Sequence, residues 1–152
     1  MKPHAAWLAG ALLLSVVLAC NLSTNSNSNS NSNSNSNSAS GSGVFADIHM
    51  AKDEGGKPGD ETNTFNPEDR TVHCLAKLKN PKEGLKIKFV WWIVDAGGTK
   101  DEKIKEIEYT TGPNDKTVHG HLTVQRDWPK GKFRCELYVD GVLDKSIDYY
   151  VS

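Results

Sequence analysis

Downstream of residue 44 the sequence alternates between apolar and polar positions in short runs, separated by clusters of Gly, Pro, Asn and Asp. Alternation with a period of two is typical of β-strands that bury one face. The runs predict seven strands, at residues 45–50, 71–78, 86–94, 104–110, 117–125, 132–139 and 143–151. The best helical segment, residues 101–108, fits a strand about as well. Strands at this spacing, with turn residues between them, predict an all-β sandwich or barrel.

Three of these runs have a clear apolar face. Its members are Val72, Cys74, Ala76 and Leu78 in the second run, Ile87, Phe89, Trp91 and Ile93 in the third, and Phe133, Cys135, Leu137 and Val139 in the sixth. Cys74 and Cys135 are therefore both expected to point into the core. A disulfide between them would join two sheets, close a loop of about 61 residues and stabilise the fold by about 4 kcal/mol. Two buried free thiols are the alternative.

The N-terminus has a different pattern. Lys2 precedes the largely apolar, uncharged run "AAWLAGALLLSVVLA" at residues 5–19, which is followed by Cys20. Fifteen residues are too few for a membrane span, which needs about 20, and the pattern is that of a signal peptide. Export places the chain in an oxidising compartment, where an even pair of domain cysteines favours a disulfide.

The sequence Val17-Leu18-Ala19-Cys20 resembles the bacterial lipobox. The resemblance implies cleavage after a signal peptide at residues 1–19 and diacylation of Cys20, which would anchor the chain in a membrane. An ordinary secreted protein with an incidental cysteine is the alternative. Asn21, where lipoproteins kept at the inner membrane often carry Asp, favours the outer membrane or cell surface.

An Asn-Ser repeat follows the lipobox, and we assign residues 20–43 to a lipid-anchored flexible linker. Small, uncharged polar residues bury too little apolar surface to fold. As a flexible coil the 23 residues after Cys20 would span about 25–29 Å. The linker is thus predicted to hold a single domain, residues 44–152, away from the membrane surface.

The order of Cys74, Trp91 and Cys135 resembles that of the immunoglobulin-like sandwich, with one cysteine on strand B, tryptophan on strand C and the other cysteine on strand F. The run "WPKGKFRCELYVDGVL" also resembles the pattern WPxGxYxVxxYxDGxL of Ig-like domains in bacterial envelope lipoproteins. The resemblance implies an Ig-like two-sheet sandwich of about seven strands with an inter-sheet disulfide. Phe133 replaces the usual tyrosine, so a hydrogen-bonded tyrosine corner is not expected.

Asp140-Gly141 predicts a hairpin between the last two strands. A two-residue loop would direct Asp144, Ser146 and Asp148 into the core, which is costly for carboxylates. We therefore expect a three-residue loop with a bulge, which places Ile147 beside Cys135, Tyr149 beside Phe133 and Arg134 opposite Asp148.

The outward positions of the third strand carry a second apolar pattern. If Trp91 points inward, Trp92 points outward together with Val90 and Val94. Strands C, F and G adjoin in an Ig-like sheet, which would add Tyr138 and Tyr150 and form an exposed aromatic strip. Such strips often bind partners. Coverage of the strip by residues 52–63, which are predicted to form a loop, or by the linker is the alternative.

Signals for chemistry are weak. The net charge of −1 leaves no basic excess for nucleic acid, and no nucleophile elbow, phosphate-binding glycine loop or His-Glu-x-x-His motif is present. His119 and His121 share a strand face and could meet one metal ion if His49 or His73 joined them through the fold. Surface histidines are the preferred interpretation. A calcium site from Asp53, Glu54, Asp60 and Glu61 matches no EF-hand spacing. We predict no catalytic residues, no metal site and no cofactor.

Together these observations predict a non-enzymatic, lipid-anchored envelope or surface protein that displays an Ig-like recognition or adhesion domain. The expected partner is a protein or a glycan, bound through Trp92, Tyr138 and Tyr150. A structural or accessory subunit of an envelope complex is the alternative. An Ig-fold inhibitor of secreted proteases is a third possibility, but the loops show no matching signature.

Overall fold

The computed structural model describes residues 43–152, and this part of the chain consists of strands and turns. The strands are β1 (Phe45–Asp53), β2 (Pro58–Glu61), β3 (Thr64–Phe65), β4 (Thr71–Leu78), β5 (Lys86–Ala96), β6 (Thr99–Thr110), β7 (Thr117–Thr123), β8 (Gly131–Val139) and β9 (Val142–Val151). In these residues no helix is long and apolar enough to span a membrane. The predicted signal peptide, the lipidation site at Cys20 and nearly all of the predicted linker lie outside the described residues.

The strands form two sheets. One has the order β2-β1-β4-β7, and the other has the order β3-β9-β8-β5-β6. The β3–β9 pair is parallel, and the other paired strands are antiparallel. All seven predicted strands are present, as β1 and β4 to β9. The ambiguous segment 101–108 lies within β6, an edge strand whose charged, exposed side chains discourage pairing with another chain.

The segment 52–63, predicted as a loop, departs from that prediction. Its polar residues include β2, which pairs with the end of β1 through a turn in which Glu54 and Lys57 are hydrogen-bonded. Because β2 is exposed, no alternation of apolar residues marks it in the sequence. The segment extends the edge of the four-stranded sheet and does not add to the five-stranded sheet.

The core lies between the sheets and confirms the predicted inward faces of β4, β5 and β8. Trp91, Cys74 and Cys135 are fully buried. The cysteines reach each other from opposite sheets, where the thiols are hydrogen-bonded and present in the free form. Burial, together with this contact, raises the pKa of the Cys135 thiol well above its usual value. The structure therefore juxtaposes the two cysteines without a bond between them.

Gly120 lies opposite Cys74 in the β4–β7 pair. A Cβ atom at this position would lie 2.8 Å from the Phe89 ring and 2.9 Å from Cη2 of Trp91. These are closer than van der Waals contact, so the inward face of β7 needs a residue without a side chain here. The glycine between His119 and His121 thus serves the core, while the histidines flank it on the other face.

The β8–β9 hairpin corrects the predicted loop length. Its loop has two residues, Asp140 and Gly141, and pairs Val139 with Val142. Both loop residues have positive φ, 49° and 85°, as the type I′ turn requires. The prediction of a three-residue loop was wrong. It assumed that the pairing register set by a two-residue loop would continue unchanged along the whole of β9.

A bulge at Asp144 shifts that register. Beyond it Cys135 pairs with Ile147, and the predicted opposition of Arg134 to Asp148 is confirmed. Asp144 is itself 2% exposed. Its carboxylate accepts the backbone N–H groups of Val44 (2.9 Å) and Phe45 (3.1 Å). These charge-assisted bonds offset its desolvation and attach the start of β1 to the opposite sheet.

Candidate binding face

The outer face of the five-stranded sheet contains an aromatic group, which we call the Trp92 cluster: Trp92, Glu136 and Tyr138. Trp92 Nε1 donates to Glu136 Oε2 at 2.9 Å, and the Tyr138 hydroxyl donates to the same oxygen at 2.9 Å. Both rings are half-buried. Burial, and then the hydrogen bond to Glu136, raises the pKa of the Tyr138 hydroxyl. One carboxylate therefore fixes two aromatic side chains from adjacent strands.

The cluster forms because β5 and β8 are neighbours. Trp92 pairs with Arg134, and Val90 pairs with Glu136. Val90 is only 4% exposed, so it lies beneath this face rather than on it. Val94, which is half-buried, is the residue at which the β5–β8 register shifts.

Tyr150 lies apart from the Trp92 cluster. It pairs with Lys132, whose Nζ atom is 5.9 Å from the centre of the Tyr150 ring. Asp148 lies between Tyr150 and the Trp92 cluster and is 7% exposed. Its carboxylate contacts Arg134 Nε and Lys132 Nζ, each at 2.7 Å. The expected continuous strip is therefore divided by a charged group. In residues 43–152 the exposed large hydrophobic side chains are Tyr109 and Val142, at 39% and 57% exposure, and both lie outside the predicted strip.

The charged group formed by Asp148, Arg134 and Lys132 favours the ionised form of each member. Burial raises the pKa of Asp148, but the hydrogen bonds from Arg134 and Lys132 outweigh it and hold the pKa below its usual value of 3.8. The same contacts raise the pKa of both cations. Asp148, Arg134 and Lys132 thus form a charged group that lies between the Trp92 cluster and Tyr150.

The outer face of the four-stranded sheet holds a second group, which the sequence only suggested. The four histidines downstream of His4 all lie in this sheet, on β1, β4 and β7. His73 pairs with His121, and Leu75 pairs with both His49 and His119, so the four imidazoles share one face. We call Asp53, His73, His119 and His121 the histidine cluster.

Within the histidine cluster, His73 is the centre. It is 1% exposed, and its Nε2 atom contacts Asp53 Oδ1 at 2.8 Å while its Nδ1 atom contacts His119 Nε2 at 2.7 Å. The bond from His73, with a second one from the Gly56 N–H, lowers the pKa of Asp53. Partial burial, and then the neighbouring His73 and His121, lowers the pKa of His119. His119 and His121 are exposed, as expected of surface histidines.

The contact between His73 and Asp53 was not predicted, because the sequence suggested the two residues only for separate hypothetical metal sites. The alternation of residues 71–78 already placed His73 on the outward face of its strand. Its proximity to His119, however, depends on the pairing of β4 with β7. Asp53 reaches His73 because β1 continues two residues beyond Ala51, the pairing partner of His73. Across residues 43–152 no three His, Cys, Asp or Glu side chains, as they stand, are in position to hold a metal ion.

Comparisons with known proteins identify the fold. The chain is similar to an immunoglobulin-like protein from Pseudomonas aeruginosa, with a TM-score of 0.52 and 11% identity over 72% of this chain and 94% of that one. No known protein family and no curated protein matches the sequence. At this identity the likeness concerns architecture alone, and with the two sheets of four and five strands it establishes an all-β, immunoglobulin-like sandwich.

Proposed function

We propose that this protein is exported, lipid-anchored at Cys20 and displays its Ig-like domain as a non-enzymatic recognition module in the bacterial envelope or at the cell surface. The apolar run before Cys20 and the Asn-Ser repeat after it support the anchoring. The Ig-like fold is compatible with recognition but does not specify a ligand.

One observation carries the recognition proposal: Trp92 and Tyr138 are held side by side by a single carboxylate oxygen. Trp, Tyr and Arg dominate the energetics of binding interfaces, and Arg134 pairs with Trp92 on the same face. Side chains already fixed in place lose little conformational entropy on binding. We therefore assign the binding site to the Trp92 cluster with Arg134 and take the partner to be a protein or a glycan.

Tyr150 is not part of this assignment. It lies beyond the ion pairs of Asp148, which are satisfied within the sheet. The predicted face of five residues thus contracts to Trp92 and Tyr138, with Glu136 and Arg134 added.

We also propose that Cys74 and Cys135 form a disulfide after export. Their thiols are neighbours from opposite sheets, which favours oxidation to an inter-sheet disulfide. A periplasmic or extracellular location would supply the oxidising conditions.

The recognition proposal is tested with native envelope extracts in mild detergent. The chain is compared with a Trp92→Ala/Tyr138→Ala double variant and with Tyr109→Ala, which removes an exposed aromatic residue outside the cluster. We expect one protein or glycan to co-purify with the wild type and with Tyr109→Ala but not with the folded double variant. Equal recovery with all three chains would refute the assignment.

A further inference from the structure

Strand β7 is the least protected edge of the sandwich. The sheet orders place β2, β7, β3 and β6 at the edges of the two sheets. Proteins discourage pairing at an edge with charged side chains, with proline or with very short strands. Most residues of β6 are charged, β3 has two residues, and β2 has four residues that include Pro58. In contrast, β7 has seven residues without Lys, Arg, Asp, Glu or Pro, and it pairs with β4 without a bulge.

Alternate residues of β7 present their backbone N–H and C=O groups to this edge. The Leu78 N–H donates to the Lys116 carbonyl and the Val124 N–H donates to the Arg70 carbonyl, each at 2.9 Å, just beyond the two ends of β7. In an antiparallel pair, residues bonded to the neighbouring strand alternate with residues whose N–H and C=O groups point away from it. Bonds to β4 are therefore made at positions 118, 120 and 122, and the groups that point outward belong to positions 117, 119, 121 and 123. Within the described part of the chain β7 pairs with β4 alone, so the outward groups form an open edge.

The sequence of β7 is nearly the same in both directions. It reads Thr-Val-His-Gly-His-Leu-Thr and is centred on Gly120. A second β7 strand, placed antiparallel with a two-fold axis at Gly120, would set Thr opposite Thr, Val opposite Leu and His opposite His. Val118 and Leu122 are buried on the core side of the sheet, so apolar side chains would meet there and polar ones on the outer side. A two-fold dimer needs a self-complementary surface of this kind.

We propose that the partner of β7 is a second copy of this chain, and that antiparallel β7 strands join the two four-stranded sheets into one continuous sheet. His119 pairs with His121 of the partner subunit, and Thr117 pairs with Thr123 of the partner subunit. These are the positions whose backbone groups point outward, so each such pair exchanges two N–H···O bonds. The Trp92 cluster lies on the other sheet, so this interface is separate from the proposed recognition face.

Gly120 suits the two-fold axis. In the proposed register it lies opposite Gly120 of the partner subunit, at a non-hydrogen-bonded position where the Cα atoms of the two strands are about 4.5 Å apart. Two glycines at this closest point place no side chains between the strands. The same residue that packs against Phe89 and Trp91 in the core thus also allows the two strands to approach.

The first test is the mass of the full chain, measured by sedimentation equilibrium in density-matched mild detergent. The wild type should be dimeric. Thr117→Lys/Thr123→Lys changes two exposed residues and places like charges opposite each other at both ends of the interface. It should raise the dimer dissociation constant by about 2- to 30-fold. Thr99→Lys/Thr110→Lys adds the same charge to the β6 edge and should dimerise like the wild type.

Cross-linking tests the register. A Thr117→Cys chain is mixed with a Thr123→Cys chain and oxidised. In the proposed register these positions form a hydrogen-bonded pair with Cα atoms about 5.5 Å apart, inside the range of about 4.4–6.8 Å that a disulfide needs. Two copies of the Thr117→Cys chain would hold their new thiols about 20 Å apart, because six strand positions separate 117 from 123. Peptide mass spectrometry should therefore find the 117–123 link and no 117–117 link.

Three results would overturn the proposal. A monomeric wild type would show that β7 does not pair with a second copy. Equal dimerisation of the wild type and both lysine variants would place the contact elsewhere on the chain. A dimer in which the 117–123 link is absent, or no more abundant than the 117–117 link, would exclude the two-fold register about Gly120.

Discussion

Oxidation of the core cysteines should determine the stability of the domain. Cys74 and Cys135 are each 0% exposed and in contact across the two sheets. A bond between them removes the closure entropy of a loop of about 61 residues from the unfolded chain, which corresponds to about 4 kcal/mol. This is a large fraction of the 5–15 kcal/mol by which a typical domain is stable.

The assay is urea unfolding of the full chain in mild detergent, followed by tryptophan fluorescence with and without a reductant. With a slope of about 1.5 kcal/mol per molar urea, the loss of about 4 kcal/mol lowers the midpoint by about 3 M. Mass spectrometry after alkylation counts the free thiols before unfolding. A Cys74→Ala/Cys135→Ala variant should unfold at or below the reduced midpoint and should not respond to reductant.

Two results would refute this reasoning. One is a chain exported and purified without reductant that still alkylates at both cysteines. The other is an unchanged urea midpoint when an oxidised chain is reduced and alkylation shows that both thiols have become free.

Further predictions concern packing, charge and anchoring. Gly120→Ala should lower stability by about 1–3 kcal/mol, measured by thermal unfolding, because the new methyl group overlaps the Phe89 ring. Gly112→Ala, whose nearest neighbour would be 3.6 Å away, is its control and should have little effect. Because the pKa of Asp148 is depressed on folding, its stabilisation is complete above the unfolded pKa of 3.8 and disappears as the pH falls through the lower folded value. Asp148→Asn should therefore flatten the acid limb of the stability curve, and an unchanged limb would contradict the ion-pair account. Cys20→Ser should prevent metabolic labelling with palmitate, and a labelled variant would exclude Cys20 as the lipid site.

The core strands were predictable because their apolar positions alternate over seven or more residues. Cys74, Trp91 and Cys135 marked strands β4, β5 and β8, and their order suggested the Ig-like fold that the two sheets confirm. Strands β2 and β3 could not be found this way, since they have four and two residues and depend on their partners for hydrogen bonds. The hairpin loop was mispredicted because a bulge at Asp144 compensates for the short turn.

The side-chain groups were less predictable than the fold. Outward parity identified Trp92 and Tyr138, but it gave no sign that Glu136 would bind both. It also could not show that Asp148 would separate Tyr150 from them. His73 joined His119 only through the pairing of two strands that are distant in sequence. Local alternation thus assigns a residue to a face, whereas its neighbours on that face depend on strand order and register.

The most direct test of the recognition face is photo-cross-linking in living cells, with a photoreactive amino acid in place of Trp92 and, as control, in place of Tyr109. Export and oxidation of both chains are verified first. The account predicts a discrete adduct from position 92 that is absent from position 109, and mass spectrometry of that adduct identifies the partner. No adduct at 92 from a correctly exported chain, or the same adduct from both positions, would contradict it.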